Sequence, residues 1–226
     1  MLSSVASRSY GQYCGFARAL EVVGERWTML IVRDLLVGPK RFTDLLRGLP
    51  GIPTNGLTAR LKELEADGVV RRRALSHPDR SVVYELTDYG RELETTVDAL
   101  GCWGAKALGD PRPGEVVTLD SMMTAMRATF QPAAARGVRA TYELRLGDIV
   151  LHLRITSRTL TVGAGPLPDA DLVIESGPAI KMLLSGELSA HDAIAQGLVK
   201  VAGDPARLEL FSRMFRIGVL GHLATA

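Results

Sequence analysis

Cysteine, aromatic residues and long apolar runs are all scarce in this chain of 226 residues. Its two cysteines, Cys14 and Cys102, match neither a disulfide framework nor a zinc-ligand spacing. Nowhere do 18 apolar residues run together, and the opening residues lack the apolar core of an export signal, so we expect no membrane partner and no export. A cytoplasmic location follows as the expectation. The net charge of +2 is too small to indicate a nucleic-acid partner, so any basic surface must be local.

Motifs that carry catalysis are also missing. The segment GAGP at 163–166 lacks the later glycine and lysine of a phosphate loop. Local spacing groups none of the four histidines with a cysteine or with a serine and an aspartate, although spacing does not exclude a triad assembled in three dimensions. We therefore predict no enzyme, no cofactor and no metal site. The histidines are His77, His152, His191 and His222.

A domain boundary is predicted near the middle of the chain. The segment GDPRPGEV at 109–116 holds two prolines and two glycines. The apolar spacing before it is helical, and the sequence pattern after it is different. We predict a first domain over 1–108, a linker over 109–118 and a second domain over 119–226. Charge is concentrated within the first domain, where residues 38–80 carry nine basic and five acidic side chains.

The first domain is predicted to be mostly helical up to residue 66. Apolar spacing favours helices over 16–23 and 26–36, followed by a short helical face over 42–49. Leu57, Leu61 and Leu64 recur at helical spacing in the next helix, which we place at 54–65, and Gly68 follows as a C-cap. The opposite face of that helix is small and polar near its N-terminus.

The segment 68–87 is predicted to form a hairpin with a positive arm. Three consecutive arginines lead into a turn and then into a β-branched, aromatic run. Two helices followed by a hairpin are typical of a winged helix-turn-helix, in which the second helix enters the major groove and the wing lies along phosphates. A solvated edge strand is the alternative explanation of the arginines. The candidate DNA-binding residues are Arg41, Thr54, Asn55, Thr58, Ala59, Lys62, Arg71, Arg72, Arg73, His77 and Arg80.

These residues resemble the HxlR-type winged helix-turn-helix transcriptional regulators, relatives of the MarR group. The resemblance covers about residues 10–105, and it implies a homodimer that binds a double-stranded DNA operator. Pro53 and Gly56 depart from the pattern and leave the first turn of the recognition helix open. Cys14 matches a cysteine of such regulators, some of which respond to oxidants or electrophiles, so it is a candidate redox residue, with a buried inert cysteine as the alternative. The resemblance rests on Cys14, residues 24–27, 33–36, Phe42, Leu45, Leu57, 60–64, 67–68 and 84–93.

The second domain alternates apolar and polar residues at period two, which predicts three or four antiparallel strands between a helix at 119–130 and three helices after 177. Its last part resembles sterol carrier protein 2 domains. That resemblance implies an apolar tunnel, and we predict a mostly apolar cavity for a small-molecule effector. A closed core is the alternative. The strand arginines Arg139, Arg145, Arg154 and Arg158 mark either an anionic head-group site or a solvated sheet face. The candidate ligand-binding residues are Leu144, Leu151, Leu153, Ile155, Met182, Leu183, Phe211 and Phe215.

The expected fold class is therefore α+β. A mostly helical winged helix-turn-helix domain with a two-stranded wing precedes an α/β domain, similar to sterol carrier protein 2, with a mainly antiparallel sheet. The expected function is sequence-specific DNA binding in transcription regulation, modulated by an apolar ligand. The alternatives are a carrier of lipid or another apolar ligand whose winged helix contacts proteins, and a thiol-based regulator that acts through Cys14.

Overall fold

The computed structural model describes residues 9–76, 81–109 and 111–218, and the chain divides into two compact units between Val97 and Asp98. Each unit has its own buried core. No helix of the described residues is long and apolar enough to cross a membrane.

Four helices and a short strand open the first unit, close to where the apolar spacing places them. Their apolar faces meet in one cluster that includes Ile31, Leu35, Leu45 and Leu61, all with almost no accessible surface. The elements are α1 (Gly15–Val23), α2 (Thr28–Val37), β1 (Lys40–Arg41), α3 (Phe42–Gly48) and α4 (Thr54–Ala66).

The wing is a two-stranded hairpin, as expected, and it belongs to a three-stranded sheet. Strands β2 (Val70–Ala74) and β3 (Val82–Leu86) pair antiparallel, and β1 adds to the other edge of β3. A strand of two residues leaves no period-two pattern in the sequence, so only the folded chain reveals it. As a result β3 is central and β2 is an edge strand.

A threonine and a glycine fix the base of the wing. The Thr87 hydroxyl donates to the Gly68 carbonyl at 2.6 Å and accepts from the Gly90 N–H at 3.1 Å, which caps α5 (Asp88–Arg91). Gly90 lies so close to the Val69 carbonyl that a Cβ there would overlap it. Helix α6 (Glu94–Ala105) follows, and its Val97 packs in the core of the first unit.

The second unit is a sheet with helices on one face. Its elements are α7 (Leu119–Thr129), β4 (Arg139–Leu146), β5 (Ile149–Thr156), β6 (Thr159–Ala164), β7 (Leu172–Ser176), α8 (Ala179–Ser185), α9 (Ala190–Ala195), β8 (Val199–Gly203) and α10 (Ala206–Met214). Four strands, β4 to β7, lie where the alternation predicts three or four, and β8 follows between α9 and α10. The strand order is β6-β5-β4-β7-β8, and β4 pairs with β7 in parallel, which corrects the expected antiparallel pairing, while the other pairings are antiparallel.

The strands of this sheet have a core face and a polar face. On the core face, Tyr142 and Leu144 of β4 have no accessible surface, and Phe211 of α10 lies 5.3 Å from the Tyr142 ring. On the polar face, Arg139 and Arg145 are exposed and Thr141 is half-buried, whereas Glu143 is buried and accepts from the Leu167 N–H at 2.7 Å and from Arg145 at 2.6 Å. The side-chain types alternate as in a strand with one core face.

The predicted ligand-binding residues fill this core instead of surrounding a space. Seven of the eight have at most 2% of their surface accessible, whereas Met182 is exposed. These seven side chains are therefore packed into the core. Two open concavities of about 390 and 330 Å³ lie on the unit, and polar side chains such as Glu175, Lys200, Arg154 and Asp171 line them, together with Ile155 at the second. The assignment of the eight residues to a ligand stays a prediction.

Candidate nucleic-acid interface

The first turn of α4, which the sequence left open, is regular. Pro53 lies just before the helix with extended backbone (φ −68°, ψ 143°), and its carbonyl accepts from the Leu57 N–H at 2.9 Å. Proline suits this position because the first N–H groups of a helix have no partner within it. A Cβ at Gly56 would lie 3.5 Å from the Pro53 Cδ, an ordinary van der Waals contact. The helix therefore begins at Thr54, one residue after the proline.

The two faces of α4 divide as the sequence predicts. Leu57, Leu61 and Leu64 are buried in the core. Thr54, Asn55, Thr58 and Lys62 are exposed, and Ala59 is half-buried. Gly68, with φ of 72°, turns the chain into the wing. The exposed face starts with small side chains, which is the condition for close approach of a helix to a duplex.

Two of these exposed side chains bond to their own helix. The Asn55 Oδ1 accepts from the Gly56 N–H at 2.9 Å, and the Thr58 hydroxyl donates to the Thr54 carbonyl at 2.9 Å. The Asn55 amide NH₂ group is a donor that the first of these bonds does not use. Asn55 can therefore offer hydrogen bonds to a base edge while its oxygen stays on the backbone.

Two wing arginines share one carboxylate. Arg71 donates through Nε to Glu85 Oε1 at 2.8 Å, and Arg73 donates through Nε to Glu85 Oε2 at 2.9 Å. The Glu85 side chain is 8% exposed, whereas Arg71 and Arg73 are 65% and 47% exposed. The hydrogen bond from Arg73, aided by that from Arg71, holds the pKa of the Glu85 carboxyl below its usual range against the opposing effect of burial.

The middle arginine of the three points to the other side of β2. Arg72 donates through Nε to Glu65 of α4 at 3.0 Å and is 57% exposed. This bond, together with the charge of Glu65, raises the pKa of the Arg72 guanidinium. It also ties the wing to α4, so the two parts of the candidate interface are joined by a salt bridge.

Other predicted residues surround this pair of elements. Arg41 of β1 is exposed and pairs in register with Val83, on the opposite side of β3 from Arg73. His77 and Arg80, the predicted tip of the wing, lie outside the described residues. The structure thus brings Arg41, Arg71, Arg72 and Arg73 onto one small sheet.

The carboxylate partners of the wing arginines were missed by sequence reasoning, as were two ion pairs of Arg60. Arg60 of α4 lies 2.6 Å from Glu63 and 3.6 Å from Glu25. The register of the hairpin is the signal that could have found Glu85, because it lies directly opposite Arg71. The sequence alone leaves the length of the turn open and with it the register.

Cys14 lies at the residue before α1 and is exposed. Its thiol makes no capping hydrogen bond, yet the nearby backbone N–H groups of Ala17 and Phe16 lower its pKa. Cys102 differs: it is buried, donates to the Ala128 carbonyl at 3.4 Å, and has a pKa raised by burial. Across the described ranges, no three histidine, cysteine or acidic side chains are placed to hold a metal ion.

Known proteins similar to this chain share its first half. Residues 22–111 match the HxlR-like helix-turn-helix family. The HTH-type transcriptional regulator YtcD of Bacillus subtilis is 45% identical over 86 residues, which are 38% of this chain and 68% of that protein. A Mycobacterium tuberculosis HTH-type transcriptional regulator is 41% identical over 112 residues, or 50% of this chain and 68% of that one.

Solved structures also match this half. The reduced form of the redox regulator HypR is 35% identical, with a TM-score of 0.39 over 41% of this chain and 92% of the HypR chain. Both sequence relatives are transcriptional regulators rather than enzymes. Since the chain is 45% identical to YtcD and covers 68% of it, this protein belongs to the HxlR-like helix-turn-helix family of transcriptional regulators.

Proposed function

We propose that this protein is a sequence-specific regulator that places α4 in the major groove of an operator and lays the wing on the phosphate backbone. The observation that carries the proposal is the exposed, small and polar start of α4, joined through Arg72 and Glu65 to a strand with three arginines. The groove admits one helix, and base edges are reached from its N-terminal part. Asn55, Thr58 and Lys62 are the proposed base-facing residues.

The roles of the two domains are part of the same proposal. Residues 1–108 are the proposed DNA-binding and dimerisation domain, 109–118 the linker and 119–226 the second domain. The described structure divides earlier, after Val97, within α6. A regulator of this kind works where the DNA is, so the cytoplasm is the proposed location.

A homodimer is proposed because of two apolar surfaces. Helix α1 buries only Ala17, and Phe16 and the preceding Tyr13 are exposed. Helix α6 exposes Leu100 and Trp103. Exposed aromatic side chains on a helix mark interaction surfaces. Light scattering after size exclusion tests the proposal, and a monomer at micromolar concentration would contradict it.

DNA binding is tested with labelled duplexes in fluorescence anisotropy titrations at several salt concentrations. A duplex selected by the protein from a random library should bind more tightly than an unselected duplex, and the affinity for both should fall steeply as salt increases. A carrier of apolar ligands, the alternative function, would bind apolar ligands with little salt dependence and would select no duplex.

A second candidate function is thiol-based control through Cys14, favoured by its exposure and lowered pKa. N-Ethylmaleimide should add to Cys14 faster than to Cys102, and the adduct should change the affinity for the selected duplex. The Cys14→Ser variant is the control and should not respond. Equal affinities before and after complete labelling would leave Cys14 without this role.

An apolar effector in the second unit has less structural support. Leu144, Leu151, Leu153 and their neighbours pack against each other, so a ligand would have to open this core. A ligand shifts DNA affinity only by its differential affinity for two states of the protein. Mass spectrometry of the protein under native conditions, before and after extraction with organic solvent, would detect a co-purified apolar molecule.

A further inference from the structure

The three wing arginines all use the same nitrogen for internal bonds. Arg71, Arg72 and Arg73 each donate through Nε to a carboxylate of the first unit. A guanidinium has five N–H donors, and four of them belong to the two terminal nitrogens. With about half or more of each side chain exposed, the three arginines keep their outer ends in solvent.

The carboxylates also reduce the charge that the wing presents. Glu85 and Glu65 place two negative charges within 3.0 Å of three positive ones. Glu85 is almost fully shielded from water, so it remains beside Arg71 and Arg73 when a polyanion approaches. A phosphate on the wing then meets a net charge of about one instead of three, because unit charges a few ångströms apart largely offset each other at longer range.

Fixed guanidinium groups also adapt poorly to a random phosphate register. Free arginines can rotate to meet phosphates wherever the protein lands, and such contacts supply nearly all sequence-independent affinity. Arginines held through Nε by Glu85 and Glu65 have fewer orientations available. They fit best when α4 has already set the register of the wing on the duplex.

We propose that Glu85 and Glu65 are internal counterions of the wing that weaken its sequence-independent binding to polyanions, and that they are thereby specificity-determining residues of the DNA site. The inference rests on the proposed function for its second part, discrimination between sequences. Its first part, weaker binding of the wing to any polyanion, does not depend on the proposed function. The two glutamates act by positioning and partly neutralising arginines, without touching DNA.

The test compares Glu85→Gln with the wild type on an unselected 24-base-pair duplex of random sequence. We expect the variant to bind about fivefold more tightly, the effect of one unit charge about 4 Å away in a high-dielectric setting. The slope of log affinity against log salt should steepen by about 0.9, as for one additional phosphate contact. On the duplex selected by the wild type, the gain should be smaller. An equal or weaker affinity for random DNA overturns the proposal, and an equal gain on both duplexes overturns the specificity role.

Two further variants separate this effect from misfolding and from a general change of charge. Glu65→Gln, at a side chain that is 35% exposed, should repeat the effect of Glu85→Gln even if the buried position tolerates glutamine poorly. Glu92→Gln makes the same change of net charge at an exposed residue between α5 and α6, and should leave the salt slope unchanged. Urea unfolding of each variant confirms that it is folded. A Glu92→Gln slope as steep as that of the wing variants overturns the proposal.

Heparin chromatography distinguishes failure of this inference from failure of DNA binding. If the wild type binds no duplex DNA, the proposed function is wrong, but the wing still meets a polyanion on the column. Both glutamine variants should then elute at higher salt than the wild type and Glu92→Gln. Elution of all four proteins at the same salt overturns the counterion role.

Discussion

Two hairpins of this molecule carry arginines on their strands, and the arginines are spaced differently. In β2 of the wing, Arg71, Arg72 and Arg73 are consecutive, so both faces of the strand beyond Val70 are charged and exposed. In β4 and β5 of the second unit, Arg139, Arg145 and Arg154 alternate with buried residues. Because side chains alternate between faces along a strand, consecutive charge leaves no core face.

The spacing of the arginines distinguishes a strand with one face in a core from a strand with both faces available to a binding partner. The β4–β5 hairpin has a core face with Leu151 and Leu153, and its arginines are exposed on the opposite side of the sheet. The outer part of β2 has no such face and is held by ion pairs with Glu85 and Glu65. A basic strand is therefore more informative about function when its charges are consecutive than when they alternate.

The largest expected effect concerns the core face of the second hairpin. Leu153→Ala should lower the free energy of unfolding of the second unit by about 2–5 kcal/mol, since it removes a fully buried side chain. Urea denaturation monitored by circular dichroism measures this change. Arg154→Ala, the next residue on the polar face, is the control and should change it by less than about 0.5 kcal/mol. Similar losses for both variants would break the distinction between the two faces.

The variant Asn55→Ala tests whether sequence preference comes from α4 and not from the wing. Loss of a good base contact should reduce the preference for the selected over the random duplex by about 1–3 kcal/mol. Anisotropy titrations with both duplexes measure the ratio. Thr58→Ala should act in the same direction. If both variants keep the wild-type ratio, the groove-facing side of α4 is misassigned.

Arg72→Ala compares the wing directly with the second hairpin. Loss of one phosphate contact should weaken binding to both the selected and the random duplex and reduce the salt slope by about one unit. Arg154→Ala removes an exposed strand arginine of the other hairpin and should leave the slope unchanged. The same titrations across a salt series give both slopes. An unaltered slope for Arg72→Ala would show that the wing arginines belong to a solvated edge strand and do not contact phosphates.

The smallest expected effect is on pH dependence. The folded pKa of Glu85 is lowered, so its ionised form contributes stability above the usual pKa of glutamate, and this contribution is lost as pH falls through the folded value. The wild type should lose more stability than Glu85→Gln between about pH 6 and pH 3. Parallel urea midpoints over that range measure the difference. Solvent and salt screen the exposed arginines, so the difference should shrink in concentrated salt.

The helices of the first unit were predictable because their apolar spacing is regular. Leu57, Leu61 and Leu64 defined the buried face of α4, and Gly68 marked its end, as the structure confirms. The partners of the wing arginines were not predictable, because Glu85 depends on the register of the hairpin and Glu65 on how α4 packs beside β2. In the second unit, β7 pairs in parallel with β4 and therefore needs a crossover that the alternation does not reveal. The same alternation suits a closed core and an open pocket, so the packing of Phe211 against Tyr142 could only be seen in three dimensions.

The choice of Nε as the internal donor limits which residues can replace the wing arginines. Lysine has the same charge, and sequence comparisons commonly score the two as interchangeable. Its ammonium is a single compact group, however, so it cannot hold Glu85 with one nitrogen and present others to a phosphate in a fixed fork. A relative with lysines at 71 and 73 would keep the charge of the wing but not its geometry. Only relatives with arginine at these positions and an acidic residue at 85 can hold the guanidinium groups through Nε and present their other nitrogens to a phosphate.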